Sequence, residues 1–231
     1  MSVLDKIELA SYAVEAALAA VFAVLSFRRA GKGDDAKQKS ERNASLFFYL
    51  LTGFFACISM SNIFYLLTWI VQDYPFVFSP GDISWVGGIV FLITAAMSRP
   101  DDWTPEEKRE ARKRRLPAML APAVCIIFNV AYIAVYPDIL VNYLLYGVPT
   151  SILAYYSLWL SLASIKGGVK PAMRLYHLAV LLWVADQLIY DLFSTIGIQL
   201  PVVILSFILT ALMAAVYYAA LRGFTGKEVS A

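Results

Sequence analysis

The residues with the most chemical potential in this chain are a few polar side chains set inside apolar segments. They are Glu15, Asn62, Tyr65, Asp82, Asp186, Gln187, Tyr190 and Asp191. Charged groups at membrane depth are costly, so they usually face a bundle interior or a wet cavity. No Lys or Arg lies in the same half of these segments to neutralise Glu15, Asp186 or Asp191. Each acid must therefore be protonated, hydrogen-bonded to Asn, Gln, Tyr or Ser, or hydrated in a cavity. At a rise of about 1.5 Å per residue, Glu15 and Asp186 fall at similar depth. The constellation reads as a cation- or proton-linked ligand pocket lined by Glu15, Asp186, Asp191, Tyr65 and Tyr190. Two other readings stand beside it. One is polar glue between helices, with neutral carboxyls donating hydrogen bonds; the other is a proton relay. Asp82 and Asp191, nearer the segment ends, also fit simple solvation.

Other chemistries fall by elimination. A retinal Schiff base needs a lysine in the last helix, and segment 200–221 has none. A zinc site commonly takes three protein ligands, but the chain has 1 His, His177, and 2 Cys, Cys57 and Cys125. The same count excludes paired haem ligation and a disulfide scaffold, and the thiols read as buried and free. His177 reads as an interfacial aromatic residue beside Tyr176 and Arg174, with no nucleophile elbow near it. Gly167-Gly168 and Gly87-Gly88 form no phosphate-cradling loop. No cofactor and no metal are expected, and an enzymatic activity is not indicated. Nothing in the pattern points to nucleic acid.

These residues must be positioned by membrane helices. The chain of 231 residues is 60% hydrophobic and only 16% charged, against about 25% charged for an average globular protein. Such a chain cannot cover its own surface in water. Seven apolar segments are predicted as transmembrane helices, at about 7–27, 46–71, 83–98, 116–136, 139–165, 175–196 and 200–223. They make an all-α polytopic fold, expected to be one seven-helix domain over 1–231 with no soluble domain. The first segment follows Asp5, Lys6 and Glu8 and lacks a cleavage site, so it reads as a retained helix. An internal echo links Asn62-Ile63-Phe64-Tyr65 to Gln187-Leu188-Ile189-Tyr190; it fits three-plus-one-plus-three repeats, but chance similarity among apolar helices explains it at least as well.

Charge sets the orientation. All but Lys6 of the 19 Lys and Arg lie in the links after segments one, three and five or after the last. The opposite loops hold Asp73, Asp82 and Asp138 and no base. Cytoplasmic loops carry the positive charge, so the N-terminus is expected outside and the C-terminus inside. The third link carries a helical charge pattern of its own. Its bases Arg109, Arg112, Lys113, Arg114 and Arg115 suit lipid headgroups, a cytoplasmic partner, or topology setting alone. Trp69, Tyr74, Phe76, Trp85, Tyr136 and Tyr143 read as outer-interface anchors and Trp103 as an inner one. Asn129 and Asn142 add polar groups to segments four and five.

Two stretches carry a family likeness. Ser79-Pro80-Gly81-Asp82-Ile83-Ser84-Trp85 opens the third segment, and Ala185-Asp186 precedes Tyr190 in the sixth. With seven helices and an outside N-terminus, the chain resembles the seven-helix sensor regions that precede diguanylate cyclase or histidine kinase domains in bacteria. The resemblance implies that Asp82 and Asp186 belong to the sensing side. It also implies a bacterial inner-membrane sensor or receptor-like protein. A small or lipid-like ligand would bind in an outer-half cavity, and cytoplasmic loops would signal to a separate partner. A proton-coupled transporter of a cation or small molecule is the alternative. An intramembrane enzyme acting on lipid, using Asp82, Asp186 and Asp191, is a third class.

Overall fold

The computed structural model describes residues 3–31, 39–72, 79–98, 105–136, 140–163 and 171–225. The described residues form helices and no strand: α1 (Val3–Gly31), α2 (Lys39–Gln72), α3 (Pro80–Met97), α4 (Pro105–Lys113), α5 (Arg115–Ala118), α6 (Leu120–Val135), α7 (Leu140–Ala163), α8 (Pro171–Thr195) and α9 (Gln199–Thr225). Six spans among the described residues are long and apolar enough to cross a bilayer: Val3–Gly31, Asn43–Val71, Pro80–Met97, Arg115–Val135, Met173–Thr195 and Gln199–Phe224. The chain is a multi-pass helical membrane protein. α7 is a further apolar helix of 24 residues with Pro149 inside it. Asp73, Tyr74, Phe76, Trp103 and Asp138, and the side chains of Asn142 and Tyr143, lie outside the described residues.

The surface inverts the pattern of a water-soluble protein. Val14, Val21 and Val24 on α1, Ile63, Leu67 and Ile70 on α2, and Ile204 and Phe207 on α9 are exposed. Serines, Asn62 and Glu15 on the same helices are buried. Lipid tails tolerate the first set, whereas the second needs hydrogen-bond partners inside the protein.

The helices gather into two compact units. One comprises Met1–Ala95 with Asp186–Ala211, the other Ala96–Ala185 with Leu212–Ala231. In the first, α1 packs along α2 around Phe22, Phe54 and Phe55, with the Phe22 and Phe55 rings 5.4 Å apart. Serine hydroxyls fasten these helices by donating to backbone carbonyls across the interface. Ser45 reaches Ala30 at 2.9 Å, Ser59 reaches Ala16 at 3.0 Å, Ser61 reaches Gly81 at 2.8 Å and Ser84 reaches Cys57 at 2.9 Å. Small side chains of this kind let helix backbones approach closely where lipid offers no hydrophobic drive.

The start of α3 is a capping box. Ser79 is the N-cap, Pro80 holds the first helical position, and Asp82 reaches back to the Ser79 N–H at 2.6 Å while the Asp82 N–H donates to the Ser79 hydroxyl at 3.3 Å. α8 ends in a Schellman turn. Gly197 takes φ 75°, its N–H donates to the Ser194 carbonyl at 3.2 Å, and the Ile198 N–H donates to Phe193 at 3.0 Å. That turn sends the chain straight into α9.

In the second unit α6 packs on α7, and α4 and α5 also lie against α7. The Trp159 Nε1–H donates to the Ala111 carbonyl at 2.7 Å, and Arg115 lies over the same indole at 5.0 Å from its centroid. α4 therefore buries Ala111 and leaves Lys108, Arg109, Arg112 and Lys113 exposed.

Three expectations need correction. Trp85 is buried, 6% exposed, rather than an interface anchor. It shares a helical face with Ile89 and Leu92, both buried inside the first unit. His177 is buried within the second unit, its ring 5.0 Å from that of Tyr176, and is not a rim residue. Both cysteines are free, but Cys57 is only half-buried while Cys125 is buried.

Candidate functional site

All eight polar residues singled out above lie in the first unit, on α1, α2, α3 and α8. Antiparallel packing brings the N-terminal ends of α1, α3 and α9 together with the C-terminal ends of α2 and α8. The Asp5 carboxyl and the Gln199 amide, hydrogen-bonded to each other, mark the rim of this end.

Deepest from the rim is a pair of carboxyls. Glu15 is 2% exposed and Asp186 is 7% exposed, and they lie close enough to interact electrostatically. Neither faces lipid. The Asn62 side chain hydrogen-bonds to the Glu15 carboxyl and also donates from Nδ2 to the Ile58 carbonyl at 3.1 Å. Glu15 Oε1 and Asp186 Oδ2 are buried with no hydrogen-bond partner among the described residues. Gln187 Oε1, next in the chain, is likewise a buried acceptor without a donor.

One turn nearer the rim sits a hydrogen-bonded triangle. The Tyr12 and Tyr190 hydroxyls are 2.8 Å apart, and each reaches Glu8 Oε1 at 3.1 Å. Tyr12 precedes Glu15 by one helical turn and Tyr190 follows Asp186 by one, so the triangle lies on the rim side of the carboxyl pair. The Tyr65 ring stands 6.2 Å from that of Tyr12.

Beside the triangle, Asp82 is fully engaged. Its Oδ2 accepts from the Ser79 N–H and from the Ser79 hydroxyl at 2.8 Å, and its Oδ1 accepts from the Tyr65 hydroxyl. At 8% exposed it is not a solvated end residue. Gly81 makes this approach possible, since a Cβ there would meet Phe64 at 3.0 Å and Tyr65 at 3.2 Å. Asp191 accepts from Gln187 Nε2 at 2.8 Å and interacts electrostatically with Asp82. Asp82 thus holds Tyr65 and the start of α3.

Glu8 and Tyr12 complete the site and were not singled out from the sequence. Their signal was available. Asp5, Glu8, Tyr12 and Glu15 are spaced by three, four and three, which places them on one face of α1. Ser79 was present only as part of a motif, and its role is that of a cap.

The basic residues of the third link lie in the other unit. Arg109, Arg112 and Lys113 are exposed on α4, Arg114 bridges to α5, and Arg115 stacks over Trp159. Lys113 pairs with Glu110 at 2.8 Å. Asn129, also in that unit, donates from Nδ2 to the Cys125 carbonyl at 2.7 Å.

Among the described residues no three or more His, Cys, Asp or Glu side chains converge closely enough to hold a metal ion. Chemically the first-unit site offers carboxyl acceptors, phenols and amides in surroundings shielded from lipid. Compared with known proteins, the chain matches no family model, no curated protein and no solved structure.

Proposed function

We propose that this chain is a receptor-like protein of the bacterial inner membrane. It takes a small or lipid-like ligand among α1, α2, α3 and α8 and signals through its cytoplasmic side to a separate partner. The observation that carries this reading is the Glu15–Asp186 pair. Two buried carboxyl oxygens on electrostatically interacting acids have no donor among the described residues, an arrangement that helix packing alone does not require. The ligand replaces the missing partners.

In this reading α7 is the seventh span, the N-terminus lies outside and the C-terminus in the cytoplasm. The Lys and Arg distribution supports that orientation. So does α1 itself, with Asp5 in its first turn and Arg28 and Arg29 in its last. The acidic rim then faces the exterior, and the resemblance to seven-helix sensor regions supports sensing on the same side. The Tyr12–Tyr190–Glu8 triangle acts as an outer closure over the pair. Ligand entry breaks its hydrogen bonds and shifts α8 and α9 relative to α1, the kind of small helix displacement that packed interfaces convert into a second state.

The test uses the full chain in lipid nanodiscs. Fractionated culture extract and a metabolite set are screened for compounds that raise the melting temperature. The reading expects at least one that stabilises the wild type and fails with Glu15→Gln and Asp186→Asn. Compounds that stabilise wild type and variants equally would remove the pair from the site. Saturable uptake driven by a pH gradient in proteoliposomes would instead assign the same residues to a transporter.

A further inference from the structure

The receptor reading leaves the ligand's chemistry open, and resting on that reading we infer that the site takes a primary amine, held as its ammonium by Glu15 and Asp186. Glu15 and Asp186 are buried to 2% and 7% exposure, and no donor among the described residues reaches Glu15 Oε1 or Asp186 Oδ2. Their neighbour Asn62 is already committed to the other functions described above, its amide shared between the Glu15 carboxyl and the Ile58 carbonyl. What completes the pair must bring N–H or O–H donors.

It must also bring positive charge. Residues 7–27, 43–98 and 175–221, which supply every side chain of the site, contain no Lys or Arg. Lys6, the single base near the rim, is exposed at the end of α1. Two neighbouring acidic groups shielded from water thus have no internal countercharge, and an ammonium supplies one together with three donors. A metal ion fits less well, because no third His, Cys, Asp or Glu converges on the pair among the described residues. A quaternary ammonium fits less well too, since it has charge but no N–H to satisfy the two oxygens.

The rest of the ligand follows from the rim side. Tyr12, Tyr65 and Tyr190 lie there, with Tyr12 and Tyr65 rings 6.2 Å apart. Glu8 is about 10 Å from Glu15 along the α1 axis at about 1.5 Å per residue. An amine seated on Glu15 and Asp186 therefore directs its organic substituent toward phenol rings, which attract the cation and pack against carbon. A short alkyl or arylalkyl amine matches that distance.

The experiment is calorimetry and thermal melting of the full chain in nanodiscs with butylamine, hexylamine and phenethylamine. Each is paired with its trimethylammonium analogue, and calcium chloride serves as a metal control. At least one primary amine should bind saturably and raise the melting temperature, with its trimethyl analogue about tenfold weaker or worse. Asp186→Asn and Glu15→Gln should each weaken the amine by about tenfold or more, whereas Tyr218→Phe, on an exposed position of α9, should not. Trimethyl analogues binding as well as the amines, calcium stabilising through the same residues, or no amine binding would each overturn the inference. A neutral or anionic compound that depends on Glu15 and Asp186 would overturn it too, yet would leave the receptor reading standing. Variants that bind amines like the wild type would sink both.

Discussion

If the Glu15–Asp186 pair awaits a ligand, removing one of its acids should make the empty protein more stable. Glu15→Gln keeps shape and volume, keeps a carbonyl to accept from Asn62, and replaces an orphaned acceptor with an amide N–H that can donate to Asp186. A buried acceptor left without a donor costs about 1–3 kcal/mol. The substitution relieves that cost at Glu15 and supplies a donor to Asp186, so a gain of about 1–3 kcal/mol is expected. For a chain of this size each kcal/mol corresponds to about 2–4 °C in the melting midpoint. Melting in nanodiscs of the wild type, both single variants and the Glu15→Gln/Asp186→Asn double variant reads this directly. The double-variant cycle should show coupling on the order of 0.5–3 kcal/mol, because the two acids interact electrostatically. A loss of stability of about 1 kcal/mol or more in Glu15→Gln would refute the reasoning. The pair would then be an interhelical fastening in which both carboxyls already satisfy each other. Natural binding sites trade stability for function in this way, so the sign of the change carries the information.

Other outcomes follow from single contacts. Tyr190→Phe removes both hydroxyl contacts of Tyr190 in the triangle and should lower stability by about 1–2 kcal/mol; hydrogen exchange at the C-terminal turn of α8 should rise with it. Ser79→Ala deletes the N-cap of α3 and should cost about 1–2 kcal/mol by denaturant titration. Gly81→Ala forces Phe64 or Tyr65 to move, so it should weaken ligand binding through Tyr65 while leaving Glu15 and Asp186 in place. Trp159→Phe loses the bond to Ala111 and the Arg115 stack. Trypsin should then cut at the Arg and Lys of α4 several-fold faster, with the first unit's melting unchanged.

The membrane class was plain from the sequence because long uncharged runs such as 43–71 have no soluble interpretation. The separate helix α4 was plain too, since Glu110 and Lys113 sit three apart in a charged stretch. Glu15 and Asp186 stood out as acids surrounded by apolar residues. Glu8 did not, because an acid near a helix start looks like a solvated flank until its face-sharing with Tyr12 is counted. Ser79 and Asp82 had a capping-box spacing, and reading them as a sensing motif obscured a local hydrogen-bonding role. Trp85 and His177 show a different limit. In a segment that is apolar all round, hydropathy does not reveal which face meets protein, so a buried ring and a lipid-belt ring look alike. The partners of such a residue come from other helices far away in sequence.

The depth of Glu15 along α1 has an electrical consequence. It stands about 18 Å from the start of a helix about 44 Å long, at about 1.5 Å per residue. A cation travelling from the rim to the carboxyl pair would cross about two-fifths of the potential drop along that helix. A full elementary charge gains about 2.3 kcal/mol per 100 mV, so occupancy would shift by about 0.9 kcal/mol for every 100 mV, roughly fivefold. A chain built this way would report the energised state of its membrane along with the concentration of what it binds.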